Sequence, residues 1–185
     1  MAWMFGYPLW IARRRTVVPH IPRLRAVFVE ALLALVAAPV LLVAASVAIQ
    51  VVAYLHGETE MLTSPLESIA RSTDRFGRLW LVFLAVLAAP IAEEVYFRGM
   101  LYNALRQRLN FVVAALLQAV VFGLAHYLYG LAFSAGIALG GLALAAVYEW
   151  RRTLLAPVLL HASLNALGMA IMTAQIATTP QLGVY

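Results

Sequence analysis

Two adjacent carboxylates and a guanidinium, Glu93, Glu94 and Arg98, stand inside an otherwise apolar stretch running from Leu79 to about Leu105. An ionisable side chain near the centre of a bilayer costs about 2.5 to 3.5 kcal/mol on insertion scales, so three together require partners or a function. Glu94 and Arg98 are four residues apart, an acid followed by a base on one helix face, and can neutralise each other. Glu93 is rotated by about 100° from Glu94 and stands outside that pair. A desolvated carboxylate without a fixed counter-charge is suited to general-base work. This assigns Glu93 to chemistry and the Glu94–Arg98 pair to its support.

Two further polar groups interrupt apolar spans. Phe122-Gly123-Leu124-Ala125-His126 ends in a lone histidine, and His161-Ala162-Ser163-Leu164-Asn165 places a histidine and an asparagine on one helix face. Amide hydrolysis needs a base for water and donors aimed at the developing oxyanion, and one missing donor costs about 10² to 10³ in rate. A carboxylate, two histidines and an asparagine supply that set. A Ser–His–Asp arrangement competes poorly, because the only aspartate is Asp74, in a polar connection, and Ser163 has no evident base. Zinc held by Glu93, His126 and His161 is the rival mechanism. There is no His-Glu-x-x-His, and asparagine is a poor zinc ligand, so a site without cofactor is favoured, with zinc as the alternative. Each residue also has a structural reading: a buried ionic cluster for Glu93, Glu94 and Arg98, and interhelical hydrogen bonding for His126, His161 and Asn165. Phe122 reads as packing.

The elements that must position these residues follow from composition. Of 185 residues, 64% are hydrophobic and 11% charged, with a mean hydropathy of +0.90, the profile of an integral membrane protein. The formal charge of +5 comes from arginines scattered between apolar spans, which favours topology control over nucleic-acid binding. The absence of cysteine removes disulfides, thiolate nucleophiles and Cys-based zinc sites. Five spans are expected, Val27–Leu55, Leu79–Leu105, Phe111–Tyr129, Leu131–Tyr148 and Leu154–Thr173, with a kink at Pro39. Val27–Leu55 is too long for a cleavable signal peptide. The expected fold is all-α, a bundle of about five transmembrane helices with a polar site near the bilayer midplane, since Glu93, His126, His161 and Asn165 can share one layer.

Residues 1–78 read as a cytoplasmic aromatic and basic anchor (Trp3, Phe5, Tyr7, Trp10, Arg13, Arg14, Arg15, Arg23, Arg25), the first span and an extracytoplasmic connection. Within that connection Ser64-Pro65-Leu66-Glu67 opens a short surface helix. Residues 79–173 form a core of four spans and 174–185 a polar tail. With the amino terminus in the cytoplasm, only Arg71, Arg75 and Arg78 fall outside, which supports a multi-pass inner (plasma) membrane protein of that orientation. Gly136 and Gly140 are expected to allow close helix approach. His20, His56, Glu30 and Glu149 lie at span ends or in connections and are expected to stand outside the site.

Glu-Glu-x-x-x-Arg, Phe-x-x-x-His and His-x-x-x-Asn, in this order on successive spans, resemble the CPBP family, intramembrane proteases that include type II CAAX prenyl endopeptidases and bacteriocin-processing or Abi-like immunity proteins. The resemblance covers roughly Leu79 to Thr173. It implies that Glu93 with His126 activates water for attack on a peptide carbonyl, that His161 and Asn165 donate to the oxyanion, and that Glu94 and Arg98 hold the geometry, unless Arg98 meets a substrate carboxylate. The expected function is an intramembrane endopeptidase acting on membrane-associated peptides or proteins, of CAAX or leader-peptide type, with the lipid bilayer and no nucleic acid as further partner. The alternatives are a non-catalytic immunity or partner-binding protein of the same fold, and a proton- or ion-coupled transporter, against which the lack of an inverted repeat counts.

Overall fold

The computed structural model describes residues 24–57 and 75–178. The aromatic and basic stretch before Leu24, the surface helix expected after Ser64, and residues beyond Thr178 lie outside them. The described chain forms helices α1 (Leu24–His56), α2 (Arg75–Arg106), α3 (Phe111–Leu124), α4 (Leu131–Arg151) and α5 (Leu155–Thr178), with a 3₁₀ turn at Tyr127–Tyr129. Among the described residues there is no strand. The chain is an all-α membrane protein, with α1, α2, α4 and α5 long and apolar enough to cross a bilayer. α5 continues past Thr173, so the first residues of the expected tail are helical.

α4 is the central element, and its small residues make it so. Ala132, Ser134, Gly136, Gly141 and Ala145 are buried along it, which lets neighbouring backbones approach without a dry hydrophobic driving force. A Cβ at Gly136 would meet Ile49 Cγ1 of α1 at 2.5 Å. At Gly140 it would meet nothing within 4 Å. The expectation of a close approach at Gly140 is therefore corrected: the tight position is its neighbour Gly141, rotated about 100° around the helix. Ala34 and Ala38 of α1, Leu144 of α4 and Leu160 of α5 form one core cluster. Tyr102 of α2, Ala114 and Ala115 of α3, and Ala145 and Tyr148 of α4 form the other. The outward apolar residues of α1, such as Leu32, Val36, Val40 and Val43, are exposed, as a lipid-facing wall requires.

Ionic contacts gather at one end of the bundle. Arg151 donates to Glu30 Oε1 through Nε at 2.8 Å and Nη2 at 2.6 Å. Glu149 accepts from Arg106 at 3.0 Å, Arg152 at 2.7 Å and Tyr102 Oη at 2.9 Å. The start of α1 and the ends of α2 and α4 thus share a side, the alternation an up-and-down bundle demands. Glu30 and Glu149 are structural ion pairs outside the site.

The third span differs from its expected extent. Phe111–Tyr129 reads as one apolar run, but α3 stops at Leu124 after 14 residues, about 21 Å. Gly130 has φ 96°, a conformation few residues but glycine adopt, and it turns the chain into α4. Side chains supplement the backbone at the end of α3: Ser134 Oγ donates to Gly123 O at 2.9 Å, which also accepts from His126 N at 2.9 Å, and His126 Nδ1 donates to Phe122 O at 2.9 Å. Irregular backbone at membrane depth is tolerated only with such partners.

Candidate active site

α2 is interrupted by π-helical turns at Leu84–Ala88 and Val95–Tyr102, on either side of Ala89–Glu94. Such turns alter the phase of a helix and free backbone carbonyls, and they recur at functional sites. The i, i+4 pair survives the change of phase. Arg98 Nη1 donates to Glu94 Oε1 at 2.7 Å, with both side chains fully buried. Arg98 Nη2 donates to Gly141 O on α4 at 2.9 Å, and the guanidinium carbon lies 4.8 Å from the Phe122 ring centroid. Arg98 is an internal anchor with both terminal nitrogens committed.

Glu94 Oε1 also takes Nδ1 of His161 from α5 at 2.9 Å. An ionised carboxylate only accepts, so Nδ1 carries the proton. The opposite nitrogen, His161 Nε2, faces Glu93 Oε2 at 3.8 Å. Glu93 is 29% exposed at its side chain, and its Oε2 has no hydrogen-bond partner among the described residues. Glu93 thus stands beside an imidazole held by a second carboxylate.

The remaining residues converge less completely. Asn165 Nδ2 donates to Ala85 O at 2.8 Å, a carbonyl within the first π turn. One of its two amide protons is spent there, leaving the other. His126 sits in the turn after α3, its Nδ1 held by Phe122 O, with no hydrogen bond to Glu93 or His161. Phe122 fills the space between, its ring centroid 5.1 Å from that of His126, 5.8 Å from His161 and 4.8 Å from Phe97. The residue read as packing is the shared wall of the site. Glu94 and His161 both lie inside helices long and apolar enough to cross a bilayer.

Among the described residues no group of three or more His, Asp or Glu side chains is placed to hold an ion. Glu93, His126 and His161 do not form such a group, and Asn165 is tied to backbone.

Spacing on one helix found Glu94–Arg98. It missed the Glu94–His161 bond, the carbonyls of Ala85 and Gly141, and the central place of Phe122, because each depends on how separate helices rotate against one another. The family described as "Type II CAAX prenyl endopeptidase Rce1-like" matches residues 75–167, which hold α2, α3, α4 and the part of α5 bearing His161 and Asn165. The Bacillus subtilis (strain 168) protein named "Putative membrane peptidase YdiL" is 35% identical over 46 residues, 25% of this chain and 19% of that protein. The matched stretch therefore spans about a fifth of that relative. No solved structure matches the chain.

Proposed function

The chain belongs to the type II CAAX prenyl endopeptidase Rce1-like family, and from that premise we propose that it is an intramembrane endopeptidase whose substrates are membrane-associated peptides or proteins, of CAAX or leader-peptide type. Its chemistry is hydrolysis by carboxylate-activated water, without a metal. The observation that carries this reading is the contact chain Glu93–His161–Glu94–Arg98 at membrane depth.

A water touching both Glu93 Oε2 and His161 Nε2 gives up its proton to the carboxylate as its oxygen attacks the peptide carbonyl. In its imidazolium form His161 offers Nε2–H to the oxyanion, and Glu94 stabilises that form while fixing the ring. Glu93, Glu94, Arg98 and a charged His161 then sum to zero net charge, which a desolvated site requires. The second amide proton of Asn165 is the further oxyanion donor. His126, with Nδ1 committed to Phe122 O, offers Nε2 as the relay to the leaving amine, the proton of Glu93 reaching it through water.

The arginine-bearing end, with Arg106, Arg151 and Arg152, is assigned to the cytoplasm of a plasma (inner) membrane, amino terminus inside. The deciding experiment compares cells carrying the wild type and Glu93→Gln for new termini on membrane proteins. Peptides cut only in the wild type are expected. Identical termini in both would remove Glu93 as the base.

A further inference from the structure

The buried side-chain atoms without a hydrogen-bond partner among the described residues are Glu93 Oε2, Glu94 Oε2, Arg98 Nε and both polar atoms of Gln118. Three of these residues belong to the site. Gln118 does not, yet its exposure is 0%. Buried polar atoms have partners as a rule, and an amide unpaired among apolar helices is expensive to keep.

Its place in the fold says what it serves. Gln118 lies one turn of α3 before Phe122, over whose ring Arg98 sits. On its other side Ala114 and Ala115 pack with Tyr102, one turn beyond Arg98 on α2. Along α3, Gln118 is thus bracketed by two contacts with the Arg98–Tyr102 stretch of α2. The unpaired atoms are chemically complementary: Arg98 Nε–H and the Gln118 amino group donate, while Glu94 Oε2, Glu93 Oε2 and Gln118 Oε1 accept. Water, which does both, joins such groups inside proteins when several converge.

We propose that Gln118 anchors internal water shared with Arg98 Nε and Glu94 Oε2, and that through this water it is a positioning residue for His161. With Nη1 on Glu94 and Nη2 on Gly141, the third side of the guanidinium is fixed by this water. The second oxygen of Glu94 is fixed with it, so the carboxylate cannot rotate away from His161.

The test uses the full-length protein, labelled with ¹⁵N-histidine in detergent micelles, as wild type, Gln118→Met and Gln118→Asn. Methionine matches the length and removes every polar atom. The methionine variant is expected to shift the His161 ring-nitrogen signals and leave those of His20 and His56 in place. Its kcat is expected to fall at least tenfold with KM within twofold, and asparagine to shift and slow less. Wild-type His161 signals and kcat in the methionine variant would overturn the proposal. Should that variant not fold, Gln118→Asn decides by the same readouts, and unchanged His161 signals there would overturn it equally. The kinetic half rests on the peptidase reading and the spectroscopic half does not. A shifted His161 signal in a protein whose wild type cleaves nothing would sustain the water site and defeat the peptidase reading.

Discussion

His161 Nδ1 and Glu94 Oε1 meet at 2.9 Å across 67 residues of sequence, and the same oxygen accepts from Arg98 at 2.7 Å. One atom thus links the guanidinium anchored on α4 to the imidazole carried by α5. Glu93 is the preceding residue in the chain, yet its Oε2 has no hydrogen-bond partner among the described residues. Adjacent glutamates occupy opposite positions in the energetics of the fold.

That contrast predicts different stabilities for two substitutions of the same chemistry. Glu94→Gln leaves Arg98 buried without its counter-charge and is expected to cost about 3 to 5 kcal/mol. Glu93→Gln removes a charge whose ion-pair partner among the described residues is the imidazole at 3.8 Å, and is expected to stay within about 1 kcal/mol of wild type. Unfolding in mixed micelles measures both, and equal losses would contradict the division of roles.

His161→Ala and Asn165→Ala are expected to lower kcat by about 10² to 10³ each, with smaller changes in KM, as loss of donors acting in the transition state should. Steady-state kinetics on a cleaved membrane peptide reads this directly. An effect confined to KM would reassign the residue to substrate binding.

Gly141→Ala would place a Cβ 2.8 Å from Cδ1 of Phe122 and disturb the ring that walls the site. A loss of about 1 to 3 kcal/mol is expected, together with reduced turnover. Gly140→Ala meets nothing within 4 Å and should be neutral or slightly stabilising, since alanine favours helix over glycine. Thermal denaturation of the pair distinguishes a site-specific contact from general intolerance of α4.

Much of this was legible in the sequence and part was not, for physical reasons. The cost of charge in hydrocarbon singles out Glu93, Glu94 and Arg98 before any fold is known, and the 3.6-residue period pairs the last two. Apolarity also locates α1, α2, α4 and α5. It does not register where a helix ends, so Phe111–Tyr129 reads as continuous although the backbone reverses at Gly130. Nor does it tell Gly140 from Gly141, because the two differ only in the direction each faces. The bond from Glu94 to His161 depends on the mutual rotation of α2 and α5, which no local pattern contains.

Orientation is checked by single cysteines in this naturally cysteine-free chain. Glu60→Cys and Pro180→Cys are expected to label from outside the cell and Arg108→Cys from inside. The opposite sidedness would overturn the assignment of the arginine-bearing end.

A carboxylate site is expected to keep its activity through prolonged dialysis against a chelator. Zinc recovered stoichiometrically with purified protein, together with chelator inactivation reversed by zinc, would replace the carboxylate mechanism by a metal one.

The brevity of α3 also acts on the surrounding lipid. Acyl chains beside it meet about 21 Å of apolar helix where about 30 Å of hydrocarbon must be covered. Hydrophobic mismatch of this kind is relieved by thinning the leaflet, at fractions of a kcal/mol per Å. Tyr127 and Leu128 face outward just past the end of α3, so thinning of this kind would fall over the turn that carries His126.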